Sequence, residues 1–218
     1  MSDVVLMSDP KVAAVPVEEC GESLVDVSGH DCFVIDERKR EDSVGAFVYL
    51  RQGVFDRLRR AQEALPQGLR LLYVEGYRPP ALQRLYFDHY ADRLRTEHPG
   101  WNSKELRDAA SRFVSPPEIA PHSAGAAVDL TLVSVDGREI DMGTRVNATP
   151  EESDGACYTA ADHIGSAARA NRRTLIDALT SAGLVNYPTE WWHWSYGDRY
   201  WALATGAAAA HYGPKELG

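Results

Sequence analysis

Cysteine is scarce in this chain of 218 residues: only Cys20, Cys32 and Cys157 occur. An odd, widely spaced set is not a disulfide framework, and no Cys-x-x-Cys pair offers thiolates to a metal. The three read as isolated thiols, which fits a reducing compartment. A basic surplus is missing as well: 23 Lys and Arg stand against 32 Asp and Glu, giving a formal net charge of −9. Such a surface suits neither nucleic acid nor an anionic membrane face, so neither is expected as a partner. No stretch approaches the roughly 18 apolar residues of a membrane span. Residues 1–10 hold neither the basic segment nor the apolar run of a secretory signal, so the cytoplasm is the expected location. Repeats and linkers rich in Gly, Ser or Pro are also absent. A single domain over residues 1–218 is expected, and 44% hydrophobic residues suffice for a sizeable core. A homo-oligomer is compatible with all of this.

What is present is a set of clear periodicities. Val54, Leu58, Ala61 and Leu65 share one helical face over residues 53–65, and Pro66 and Gly68 stop that helix. Residues 69–74 form a short apolar run of strand type. Pro79-Pro80 suits the first turn of a helix whose Leu82, Leu85, Tyr86, His89, Tyr90 and Leu94 keep the period up to Pro99. A helix over 103–113 follows the capping pair Asn102 and Glu105. Residues 126–133 read as a strand, Asp136-Gly137 as a hairpin turn with a return after it, and 142–160 as a loop. A long helix spans 167–182 and stops at Gly183, an aromatic strand spans 191–196, and Ala207–Ala210 reads as helical. Strands and helices do not alternate strictly. The expected class is therefore α+β, with helices packed on a central, largely antiparallel sheet.

The chemistry lies in two distant segments. His122 and Asp129 sit in Pro-His-Ser-Ala-Gly-Ala-Ala-Val-Asp, and His193 in Glu-Trp-Trp-His-Trp. Two imidazoles and a carboxylate can hold Zn²⁺ and leave a fourth position for water, the arrangement of a catalytic site. Glu190 is a candidate base for hydrolysis there. Strict strand alternation would place Glu190 and His193 on opposite faces, so a turn or bulge must precede Trp191 if both serve one ion. The flanking tryptophans would wall a dry cleft. Arg78, held extended by Pro79, is a candidate for stabilising an oxyanion. Taken singly each signal has a plain structural alternative: a capping histidine, a core histidine, a salt-bridged arginine. Tyr73, Tyr77, Tyr86 and Tyr90 read as packing residues. His30, His89, His98, His163 and His211 have no partner at ligand spacing and read as surface or core residues.

Together the segments are specific. Gly-Tyr-Arg-Pro at 76–79, His-Ser-x-Gly-x-Ala-x-Asp-Leu-Thr-Leu at 122–132, Asp-Met-Gly-Thr at 141–144 and Glu-Trp-Trp-His-Trp at 190–194 resemble, in this order, the zinc D-alanyl-D-alanine dipeptidases of the VanX type. The likeness spans residues 24–201, with Leu24–Val27 resembling the first strand. It implies that His122, Asp129 and His193 bind Zn²⁺, that Glu190 is the general base and later the acid, and that Arg78 stabilises the transition state. It also implies Asp141 near the substrate's amino group. Ser123 and Tyr77, inside the matching blocks, are carried as further candidate substrate contacts. The implied partner is a small dipeptide such as D-alanyl-D-alanine, attacked by a zinc-bound water. Two departures bear on specificity. Ala120 stands where the family commonly has Ser, and Arg145-Val146-Asn147 replaces the family's usual x-Phe-Asp. Four alternatives stay open: a D,D-carboxypeptidase or an L,D-carboxypeptidase on peptidoglycan stems, an amide hydrolase of natural-product biosynthesis, and a non-catalytic zinc module like the Hedgehog domain.

Overall fold

A five-stranded sheet organises the chain in a computed structural model that describes residues 4–36 and 45–217. Its strands are β2 (Val34–Ile35), β4 (Leu69–Glu75), β5 (Ala127–Ser134), β6 (Val185–Asn186) and β7 (His193–Ser195), in the order β2-β4-β5-β7-β6. Only β2 and β4 pair in parallel; the other three pairings are antiparallel. A separate antiparallel ribbon joins β1 (Leu24–Asp26) to β3 (Tyr49–Arg51). Among the described residues the α-helices are α1 (Pro10–Ala14), α2 (Gln52–Ala64), α3 (Pro80–Glu97), α4 (Ser103–Ala110), α5 (Ser166–Ser181) and α6 (Arg199–Thr205). The α+β expectation holds, and no described helix is long and apolar enough to cross a membrane.

The main core lies between the sheet and the helices α2 and α5. Val54 and Leu58 of α2, Leu175 and Leu179 of α5, and Leu71, Leu130 and Leu132 of the sheet are all buried in it. Each such side chain contributes about 1.5–3 kcal/mol when fully removed from water. Trp191, Trp192 and Trp194 belong to this core too. A second, smaller core joins α3 to α4 through Tyr90, Leu94, Leu106, Ala109 and Ala110. The α3–α4 pair thus has its own packing, and it stands beside the open end of β4 as a wall.

Several local expectations need correction. The helix after Asn102 has the full capping box, with Asn102 and Glu105 bonded reciprocally, but ends at Ala110 rather than 113. The return after Asp136-Gly137 amounts to one bridge, Val133 to Glu139. The aromatic strand is three residues long because turns occupy 190–192. Ala207–Ala210 is not helical. The last helix is α6, started by the Asp198 side chain, which accepts from the amides of Tyr200 and Trp201, and stopped by Gly206 at φ 72°.

Arg51 binds the periphery to the centre. Its buried guanidinium donates to both Glu19 carboxylate oxygens at 2.9 and 3.0 Å, and to the carbonyls of Glu22, Ala124 and Gly213. Its own amide donates to the Gly125 carbonyl at 2.9 Å. One side chain therefore fixes the N-terminal segment, the C-terminal segment and the turn that carries His122.

Candidate metal centre and its cleft

His122 opens a single 3₁₀ turn, His122–Ala124, closed by Gly125 at φ 66°. A Cβ at residue 125 would collide with Leu24, so the positive φ and the close approach both require glycine. The imidazole Nδ1 lies 2.6 Å from the Gly76 carbonyl. A carbonyl only accepts, so Nδ1 carries the proton and Nε2 offers its lone pair inward.

Asp129 and His193 come from the sheet. Asp129 on β5 is the register partner of His193 on β7 and, on its other side, of Glu75 on β4. The register shifts between Tyr73 and Glu75, so Val74 is an extra residue that turns the end of β4. Asp129 Oδ1 lies 3.1 Å from His193 Nδ1 and 3.3 Å from His122 Nε2, and the two nitrogens are 3.2 Å apart. Ligand atoms 2.0–2.2 Å from a tetrahedral ion lie about 3.4 Å from one another. The three separations match one face of such a tetrahedron. All three side chains are buried. Burial opposes the charge on Asp129, but the adjoining imidazoles of His122 and His193 outweigh it and hold the carboxyl well below its usual range. Burial pushes His193 down, partly countered by Asp129, so its neutral, metal-binding form is favoured. The residues fit a divalent ion.

Glu190 reaches this centre through two successive turns. The Glu190 amide donates to the Tyr187 carbonyl at 2.9 Å, and the His193 amide to the Glu190 carbonyl at 3.2 Å. The side-chain amide of Asn186 donates through Nδ2 to the carbonyls of both Glu190 and His193, at 2.9 and 3.0 Å. Glu190 Oε2 consequently lies 3.8 Å from His193 Nδ1. The irregular backbone demanded by the sequence is a turn on each side of Glu190, and it brings the Glu190 carboxylate and the His193 imidazole to one side.

Arg78 is buried beside the triad. Its Nε and one terminal nitrogen donate to both oxygens of Glu75, each at 2.7 Å, and the other terminal nitrogen to Gln83 at 2.8 Å. A guanidinium has five N–H groups, so two remain for a ligand. Burial disfavours the charge, but Glu75 more than offsets this and keeps the guanidinium protonated.

These groups floor a cleft of about 410 Å³ that Arg78, His122, Asp129, Glu190 and His193 all line. The walls differ from expectation. No tryptophan lines the cleft; its aromatic groups are Tyr86, Tyr90 and Phe113. His89, Arg93 and Asn147 line it as well. Tyr86, His89, Tyr90 and Arg93 recur at helical spacing on α3; Tyr86 and Tyr90, read as packing residues, do pack in the α3–α4 core and line the cleft as well.

Asp141, Ser123 and Tyr77 are not among the lining residues. The Ser123 hydroxyl donates to the Arg78 carbonyl at 3.0 Å and the Tyr77 hydroxyl to the Lys215 carbonyl at 2.6 Å, so both brace the floor from behind. Asp141 is exposed, and its carboxylate accepts the Gly143 amide at 2.8 Å. Its loop is anchored elsewhere: Arg172 donates to the Met142 carbonyl, and Thr144 accepts the Trp191 indole N–H, each at 2.8 Å. What this loop sends to the cleft is Asn147, which adopts φ 61°.

The peptidase M15 family model, described as D-ala-D-ala dipeptidase, matches residues 45–208. The chain is 28% identical to a D-alanyl-D-alanine dipeptidase of Synechocystis sp., over 87% of each chain. It is 32% identical to one of Enterococcus faecalis, over 67% of this chain and 75% of that one. Among solved structures, the LdcB LD-carboxypeptidase is similar with a TM-score of 0.48 and 20% identity, over 88% of this chain and 76% of that one.

Proposed function

This chain belongs to the D-Ala-D-Ala dipeptidase family of M15 peptidases, and on that premise we propose that it hydrolyses D,D-dipeptides such as D-alanyl-D-alanine at a zinc centre formed by His122, Asp129 and His193. The observation that carries this reading is the triangle of ligand atoms at 3.1–3.3 Å with Glu190 beside it. Bound zinc supplies Lewis acidity, which lowers the pKa of a water toward about 7 and polarises the scissile carbonyl.

The protein's own groups do the rest. Gly76 fixes the His122 tautomer, and Asp129 is held ionised, so the donor set is ready before an ion arrives. Glu190 takes a proton from the attacking water and returns it to the departing amine. Arg78, clamped by Glu75 and Gln83, directs its remaining N–H groups at the oxygen that becomes negative in the transition state. Because its charge and position are set beforehand, little reorganisation is needed during reaction. Release of D-alanine by zinc-loaded protein, tested over D,D-, L,D- and L,L-dipeptides, checks this reading. Zinc-loaded protein that cleaves none of them is not such an enzyme.

A further inference from the structure

Residues 209–217, the last that the structure describes, lie past the 45–208 span that matches the family model. They form no helix, yet they are tied closely to the body of the protein. Ala210 bridges to Val17, and the amides of His211 and Tyr212 donate to the Gly197 carbonyl at 2.7 and 3.0 Å. The Tyr212 ring is buried in the main core, and its hydroxyl donates to Glu22 at 2.7 Å. The Gly213 amide donates to Glu19 at 2.8 Å, and the Gly213 carbonyl accepts from Arg51 at 3.2 Å. The segment is a strap, anchored before it reaches the site.

Its end meets the floor of the cleft from behind. The Lys215 amide donates to the Ser123 carbonyl at 2.9 Å, and the Lys215 carbonyl accepts from the Tyr77 hydroxyl at 2.6 Å. Ser123 follows the metal donor His122. Tyr77 stands between Gly76, whose carbonyl fixes the His122 tautomer, and Arg78. The backbone of one residue thus joins the turn that carries a donor to the segment that carries the guanidinium. The two also touch directly: the Arg78 amide donates to the His122 carbonyl at 3.2 Å, and the Ser123 hydroxyl to the Arg78 carbonyl at 3.0 Å. Burial, with the charge of Glu216 added, pushes the Tyr77 hydroxyl up to about 12, so it stays a donor at neutral pH. The Lys215 ammonium is spent elsewhere, on the Glu22 carbonyl at 3.0 Å.

We propose that the Lys215 backbone is a positioning element for the metal centre, a clamp that sets the approach of the His122 turn to the Gly76–Arg78 segment. It acts through Ser123 on His122 and through Tyr77 on Arg78. It therefore bears on metal affinity and on oxyanion stabilisation together. Only the second effect rests on the peptidase reading of the site; the first follows from the donor geometry. Losing one such hydrogen bond shifts an equilibrium by about 2- to 10-fold.

Two variants of the full chain each remove one bond and leave the strap in place. Lys215→Pro has no amide hydrogen, and Tyr77→Phe has no hydroxyl. Each should weaken zinc affinity, followed by competition with a chelator, about 3- to 10-fold. At saturating zinc, kcat for D-alanyl-D-alanine should fall by a similar factor with KM within twofold. The double variant should lose less than the product of the two, because both bonds hold one residue. Leu65→Ala, at the end of α2, is the control for destabilisation alone. It should lower the urea midpoint as far as either variant and keep zinc affinity within twofold of the wild type. Unchanged zinc affinity in both variants overturns the proposal, and so does an equal loss in Leu65→Ala. A strictly multiplicative double variant, meaning two independent bonds, also overturns it. Should Lys215→Pro fail to fold, Tyr77→Phe against Leu65→Ala decides by the same criterion. If the wild type cleaves no dipeptide, the peptidase reading fails, and the zinc affinities alone uphold or remove the clamp.

Discussion

Asp129 and His193 stand opposite each other across β5 and β7, with Oδ1 of one 3.1 Å from Nδ1 of the other. Two of the three donor atoms are thus set by strand register, the most tightly specified relationship in a buried sheet, since a slip of one residue would turn both side chains to the other face. Only His122 depends on a turn, and that turn is held by Arg51 from one side and by the Gly76 carbonyl from the other. The following outcomes are expected.

Glu190→Gln keeps the size of the side chain and removes its basicity. Turnover should fall by about 10²- to 10⁴-fold, while zinc content, measured by atomic absorption, stays at the wild-type level. Undiminished turnover would take the proton-transfer role away from Glu190.

His122→Ala removes one donor. Zinc affinity, followed by competition with a chromophoric chelator, should weaken by at least 100-fold. A chelator should likewise abolish wild-type activity, and added zinc should restore it. Activity that survives exhaustive chelation would contradict a metal centre.

Arg78→Lys retains a charge but loses the two-pronged grip on Glu75. The expected loss in kcat is about 10²- to 10³-fold, the usual effect of removing one oxyanion donor. Arg78→Ala is a different experiment, because it removes the buried ion pair and both hydrogen bonds that Arg78 gives to Glu75, which is 3% exposed. That variant should lose about 3–5 kcal/mol of stability in urea unfolding.

Gly125→Ala places a side chain at φ 66° and against Leu24. A stability loss of about 1–3 kcal/mol is expected, read from the urea midpoint, together with weaker zinc binding because His122 is displaced. A variant as stable as wild type would show that the turn relaxes freely.

Asp198 gives a pH signature. Its burial raises the carboxyl pKa, only partly countered by its hydrogen bonds with Ser195 and the amides of Trp201 and Tyr200. The folded state then holds this proton more readily than the unfolded chain, so stability falls as pH rises from the ordinary carboxylate range through the raised value. Asp198→Asn, which keeps a capping oxygen, should remove that contribution. Urea midpoints of the two metal-free proteins across mildly acidic pH should diverge as pH rises; parallel curves would refute it.

Much of this was legible in the residues. The helices at 52–64, 80–97 and 166–181 and the strands at 69–75 and 127–134 follow from period and punctuation, because the buried stripe in each is long enough to fix its type. The triad was legible only through the joined blocks. His122 and His193 are 71 residues apart, and no local rule predicts a 3.2 Å approach. The tryptophans misled: their density beside His193 suggests a cleft wall, but Trp194 on β7 and Trp191 and Trp192 in the turn before it are all absorbed into the main core. The cleft-facing stripe of α3 was missed for the converse reason, since tyrosines at helical spacing carry the same pattern whether they pack or line a cavity. Asn147 is a departure from the family pattern in its loop, while the resemblance puts Asp141 of the same loop near the substrate's amino group. The structure places the first at the cleft and ties the second to its own loop.

The hairpin of carbonyls gripped by Asn186 has a mechanical consequence. Glu190 and His193 hang from one short unit tied by the same side chain, so the carboxylate and the imidazole are positioned together. The wall formed by α3 and α4 has a separate core and meets this floor through Gln83, which accepts from Arg78 at 2.8 Å, so Arg78 rather than Glu190 or His193 is the group that follows the wall.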